Sequence, residues 1–85
     1  MELFFDYLRF EKRYSPHTVV SYQTDLRQFG EFLKATYELD DTTRADHTLI
    51  RSWVVALMQQ QLDPRTVNRK IACLRSYYSR LGLAR

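Results

Sequence analysis

Arg65, Arg69, Ser76 and Arg80 fall on one line of a helical projection of the last quarter of the chain. At about 100° per residue they lie, with Ala72, within roughly 40° of the direction opposite Val67. Guanidinium groups in a row are donors for phosphate oxygens, and a small residue among them permits close approach. A helix that only meets water usually mixes charge signs, because acid–base pairs one turn apart support it. Here the one acid is Asp63, at the start. The row therefore reads as a surface offered to a polyanion. A second set, His17, Thr18 and Ser21, begins another helix. Free amides and partial positive charge at a helix N-terminus can hold a phosphate, and the two hydroxyls add donors. Against this stand local capping for Thr18 and a solvated surface position for His17.

Catalysis would need more than these residues supply. Cys73 has no His or Cys at ligand spacing and reads as packing. His17 and His47 begin different helices, without an evident base–orienter partner. Two glycines make no phosphate loop, metal-ligand spacing is absent, and most of the six tyrosines fall on apolar stripes. No catalytic residue, cofactor or metal is expected in this stretch.

The elements that must position the basic row are helical. Asp63 and Pro64 suit the cap and first position of the last helix. Val67, Ile71, Leu74, Tyr78 and Leu81 form its apolar stripe, and Gly82 stands where a left-handed cap is expected. Ser15 and Pro16 open the second helix in the same way. Its stripe is Val19, Tyr22, Leu26, Phe29 and Leu33, with Gly30 inside it as a candidate for a close helix crossing. Leu3, Phe4, Tyr7 and Leu8 give a short first helix, with Phe5 beside them; Phe10 and the exposed end of that stripe could serve a neighbouring subunit. Asp46 caps a third helix with Ile50, Trp53, Val54 and Leu57 inward and Trp53 in the core. The segment from Tyr37 to Ala45 reads as an acidic, loosely ordered loop, expected on the side away from any polyanion. The expectation is all-α, with helices at about 2–12, 16–36, 47–60 and 64–81 and no strand.

Eighty-five residues make one domain, and 45% hydrophobic content with 14% aromatics argues for a folded globule. The net charge of +3 is unevenly held: residues 63–85 carry six Lys+Arg against one acid, and residues 1–62 seven against nine. Such asymmetry points to nucleic acid. A lone cysteine suits a reducing, cytoplasmic setting. No apolar run approaches the length of a spanning helix, so no membrane role is expected, and no signal peptide is visible.

Two segments carry a family resemblance. Tyr14-Ser15-Pro16-His17-Thr18-Val19-Val20-Ser21-Tyr22-Gln23-Thr24-Asp25-Leu26-Arg27-Gln28-Phe29 resembles Leu-Ser-x-x-Thr-x-x-x-Tyr-x-x-Asp-Leu-x-x-Phe. Asp63-Pro64-Arg65-Thr66-Val67-Asn68-Arg69-Lys70-Ile71-Ala72-Cys73-Leu74-Arg75-Ser76-Tyr77-Tyr78 resembles Ser-Pro-x-Thr-x-Asn-Arg-x-x-Ser-x-Leu-Arg-x-Phe-Tyr. In this order, with Ile50-Arg51-Ser52-Trp53 between them, they resemble the N-terminal core-binding, SAM-like domain of tyrosine recombinases (phage integrases and XerC/XerD-like site-specific recombinases). Gln61 departs from that pattern, which has a glycine before the last helix, and Asp63 from its serine. The resemblance implies a four-helix SAM-like orthogonal bundle forming half of a clamp on double-stranded DNA. Contacts would come from His17, Thr18 and Ser21 on the second helix and Arg65, Thr66 and Arg69 on the fourth. It also implies that the catalytic tyrosine lies in a separate C-terminal domain, that this chain is a fragment, and that other recombinase protomers complete the assembly. The rival expectation is a helical protein–protein interaction module with no DNA role.

Overall fold

The computed structural model describes residues 2–81, so the expected cap at Gly82 lies outside the described residues. Four helices run Glu2–Phe10 (α1), Pro16–Tyr37 (α2), His47–Gln59 (α3) and Pro64–Arg80 (α4), with a 3-10 turn at Thr42–Arg44. Three of them start on side-chain caps. The Ser15 hydroxyl accepts from Thr18 N at 3.2 Å, Asp46 accepts from Leu49 N at 3.0 Å, and Asp63 accepts from Arg65 N at 2.7 Å. Each satisfies an amide that helix geometry leaves without a partner.

The ends of α1, α2 and α3 are made without glycine. Helix α1 stops at Phe10, short of the expected residue 12, because Glu11 and Lys12 both donate to Tyr7 O at 3.0 Å and Arg13 turns left-handed at φ 55°. Glu38 caps α2 at φ 55°. Gln61, between α3 and α4, has φ 59°. That is the position where the resembled pattern carries glycine, the residue that takes this conformation without strain. Gly30 itself meets no helix crossing: a Cβ there would lie 3.6 Å from Thr42 Cγ2, an ordinary contact.

Helix α2 is the hub, packing against α1, α3, α4 and the 3-10 turn. The core holds Leu8, Val19, Leu26, Phe29, Leu33, Cys73 and Leu74 almost without solvent contact. Trp53 joins it with its ring centroid 5.0 Å from that of Phe29, and Phe4 meets Tyr77 edge-on at 5.3 Å. Leu3, expected on the buried face, is exposed, because Phe5 takes the inward place at the N-terminal end of α1.

Tyr37 to Ala45 is tied down more firmly than its composition suggests. Thr42 is buried, its hydroxyl is 3.0 Å from the Tyr77 hydroxyl, and Tyr78 donates to the Thr42 carbonyl. Asp41 caps the 3-10 turn by accepting from Thr43 N at 3.0 Å and from its hydroxyl at 2.6 Å. Those bonds hold its carboxyl below the usual value. Tyr77 and Tyr78 leave α4 in directions nearly opposite Ala72, at about 100° per residue. The acidic segment therefore packs on the side of α4 away from its outer row, as expected.

Candidate nucleic-acid interface

The outer row differs from the sequence expectation by a rotation. The buried residues of α4 are Val67, Lys70, Cys73, Leu74, Tyr77 and Tyr78. Their mean direction is turned by roughly 40° from the apolar stripe, at about 100° per residue. Ile71 is half-buried and Leu81 exposed. Cys73, Tyr77 and Lys70 produce the turn, being buried to one side of the stripe; Lys70, a charged residue at 4% exposure, is the one that no hydrophobic pattern selects. The solvent side of α4 is thus Arg65, Asn68, Arg75 and Ser79, with Ala72 between them.

Lys70 is buried because Asp25 is buried with it. Asp25, at 0% exposure on α2, accepts from Lys70 Nζ at 2.8 Å through Oδ1. Arg69 closes a bidentate pair on the same carboxylate, Nε to Oδ2 at 3.0 Å and Nη2 to Oδ1 at 2.8 Å. Lys70 Nζ also donates to Gln28 Oε1, and no buried side-chain nitrogen or oxygen is left unpaired among the described residues. The bonds to Asp25 raise the Arg69 pKa above its ordinary value, so its charge is permanent. Asp25 belongs to the first motif and Arg69 to the second; this ion pair is how the two segments meet. Arg69 is therefore not an uncommitted member of the basic row. An acid from another helix engages two of its nitrogens, and its side chain remains 40% exposed.

The other candidate residues are dispersed. Arg65 and His17 are exposed. The Thr18 hydroxyl lies 3.1 Å from the Ser15 hydroxyl, within the cap of α2. Ser21 is half-buried. Thr66 turns toward a groove shared with Gln28, Phe32, Trp53 and Lys70, on the α2–α3 side. Ser76 lines a second groove at the end of α1 with Lys12 and Arg75. Sequence reasoning missed both of those cations. Arg75 is off the line opposite Val67, and nothing local to Lys12 shows that the turn after α1 brings it to α4. Arg80 is partly engaged: its Nη2 lies 3.9 Å from Glu11 Oε2, and its guanidinium lies 4.6 Å from the Tyr7 ring centroid.

Cys73 donates to Tyr22 O across 3.6 Å. Burial, and then the nearby Asp25 charge, push its thiol up to about 12, which makes it a packing residue. Among the described residues no three His, Cys, Asp or Glu side chains gather as a metal-ligand set, and no helix is long and apolar enough to cross a membrane.

Fold and surface together define a small all-α module with one acid-poor, arginine-bearing helix side. The chain belongs to the phage integrase N-terminal SAM-like domain family, whose profile it matches over residues 1–83. It is 36% identical over 72 residues to the tyrosine recombinase XerC of Halalkalibacterium halodurans, covering 85% of this chain and 23% of that protein. To the tyrosine recombinase XerC of Lacticaseibacillus casei it is 39% identical over 75 residues, 88% of this chain and 25% of the relative. To that of Listeria innocua it is 40% identical over 78 residues, 89% and 25%. The chain thus spans about a quarter of the length of these relatives. No solved structure matches it.

Proposed function

We propose that this chain is the DNA-binding, core-binding domain of a tyrosine site-specific recombinase, holding one side of a duplex core site. Strand cleavage and rejoining belong to a separate C-terminal catalytic domain, and other protomers complete the assembly. The observation that carries the reading is the solvent side of α4: Arg65, Asn68, Ala72, Arg75 and Ser79 lie along it, and none is an acid. Arg65 and Arg75 have no ion pair among the described residues. His17, Thr18 and Ser21 at the start of α2 add polar contacts, Ser76 flanks the row, and Thr66 lies off it on the α2–α3 side. Arg69 acts as a held donor: with Nε and Nη2 on Asp25, its Nη1 edge is the part left for DNA.

Phosphate contacts dominate the affinity of such a surface and release counterions. With three to five of them, binding to a duplex should fall with a log–log salt slope of about −3 to −4.5. Fluorescence anisotropy across a sodium chloride series measures it. Affinity indifferent to salt would remove the proposal. Amide shift mapping with the same duplex separates the rival reading. Perturbation along α4 and the start of α2 supports DNA. Perturbation by a protein partner around exposed Val55 and Met58 of α3, with none by DNA, supports an interaction module.

A further inference from the structure

A groove of about 370 Å³ opens between the end of α1 and the last turns of α4, lined by Tyr7, Lys12, Arg75, Ser76, Ser79 and Arg80. One wall is set by the turn after α1. The doubled bond to Tyr7 O and the Tyr14 N to Leu8 O bond at 3.0 Å fold the chain back and bring Lys12 to the groove. The Lys12 ammonium lies 6.0 Å from the Tyr14 ring centroid. The other wall is two adjacent rows of α4, Arg75 with Ser79 and Ser76 with Arg80, since residues three and four apart are neighbours on a helix. Arg80 is held in place by its stacking on Tyr7.

Counter-charge is scarce in this groove. Glu11 approaches Arg80 only to 3.9 Å, with both side chains more than half exposed. Such a pair contributes little. Lys12 and Arg75 have no ion pair among the described residues. Like charges gathered around one concavity repel until an anion sits among them. The Ser76 and Ser79 hydroxyls are donors for an acceptor-only ligand, and a phosphodiester is acceptor-only and singly negative.

We propose that this groove seats a backbone phosphate of duplex DNA, on the strand opposite the one met by Arg65, so that α4 spans the major groove from wall to wall. Arg65 and Arg75 stand about 15 Å apart along the helix axis. The major groove of B-form DNA is about 12 Å wide. The seat deepens the DNA-binding reading and rests on it.

The test is the double variant Lys12→Ala/Arg75→Ala of the 85-residue chain beside wild type, each checked for an unchanged melting curve. Anisotropy with a core-site-length duplex across a salt series should show the variant binding about tenfold more weakly, with a slope smaller by about 2. Lys12→Arg with Arg75 intact should bind as wild type does. A wild-type chain that shows no salt-dependent binding removes both the DNA reading and the seat. A wild type that binds while the double variant keeps its affinity and slope removes the seat and Arg75's part in the row, and leaves the DNA reading standing on the other contacts. Shifts of the Ser76 and Ser79 amides with sodium phosphate but not with the duplex would also overturn it, since the groove would then take only a free ion.

Discussion

Two sets of cations share α4 and live under opposite conditions. Arg69 and Lys70 sit against a fully buried carboxylate, with every buried side-chain nitrogen and oxygen among the described residues partnered. Arg65 and Arg75, one turn and more away on the same helix, are exposed and have no acid partner among the described residues. Neighbouring positions in an acid-poor stretch therefore do different work. The acid that sorts them, Asp25, comes from another helix. The first pair locks α4 to α2; the second is free to meet an outside anion. A basic helix cannot be credited with all its charges until the rest of the fold has claimed its share.

The comparison breaks hardest at Asp25. Removing one partner of a buried ion pair leaves an uncompensated charge, at a cost of about 3–5 kcal/mol. Asp25→Ala strands Lys70 at 4% exposure together with half-buried Arg69, so urea denaturation should show a loss of that size. A domain with only about 5–15 kcal/mol in hand could be left unfolded. Lys70→Met is the companion variant. It keeps the bidentate Asp25–Arg69 pair and replaces the buried ammonium by an apolar chain of similar length, so it should lose much less. If both variants cost the same, the carboxylate is not the organising charge.

Alkaline pH reads the same region through Cys73. Its thiol titrates near 12 in the folded chain against an ordinary 9.0, mainly through burial. Below pH 9 both states keep the proton and the full stability is present. Above it the unfolded thiol ionises first, the unfolded state binds fewer protons, and stability falls by roughly 1.4 kcal/mol per pH unit. The loss continues until pH passes about 12. Tyr22 and Tyr78, both raised by burial, act in the same direction. Thermal melts from pH 7 to 11 should show the decline, and Cys73→Ala should flatten its first part. Thiol-specific reagents should leave the folded chain unmodified until it opens.

Helix α2 also carries a change of the opposite sign. Gly30→Ala places a methyl at ordinary contact distance from Thr42 and removes a helix-interior glycine, which should stabilise by about 1 kcal/mol. Gln61→Gly should stabilise by a similar or smaller amount, because φ 59° strains a side-chain-bearing residue. Chemical denaturation midpoints measure both. Neither change should alter the Asp25 cluster, so their effects should add to that of Lys70→Met.

The helices were legible because caps and apolar period are local signals. Ser15, Asp46 and Asp63 announce their helices within four residues of chain, and the structure starts each helix there. The family was legible because two spaced motifs carry it. The inner face of α4 was legible only in part. Lys70 counts as polar in any pattern, and what buries it is a carboxylate 45 residues earlier in the chain. The same long-range pairing commits two of the Arg69 nitrogens to Asp25. Lys12 becomes a neighbour of Arg75 only in the folded chain, where the turn after α1 lies beside the last turns of α4. Periodicity finds which side of a helix is greasy; it does not find which charges are neutralised by another segment.

The smallest expected effect on stability falls at the exposed pair, and that smallness is informative. Arg65→Ala/Arg75→Ala removes two solvated guanidinium groups that hold no ion pair among the described residues, so the unfolding free energy should change by no more than about 0.5 kcal/mol. Like-charge relief along α4 could even raise it slightly. Duplex binding should drop sharply, with a salt slope smaller by about 2. Arg69→Ala should behave the other way round. It removes half of the counter-charge from a buried carboxylate, so stability falls first, and binding falls with the loosened α2–α4 contact as well as with the loss of the Nη1 donor. Measuring both proteins by denaturation and by anisotropy places each arginine on one side of the division. An Arg69 variant as stable as wild type and defective only in binding would return that residue to the outer row and erase the distinction.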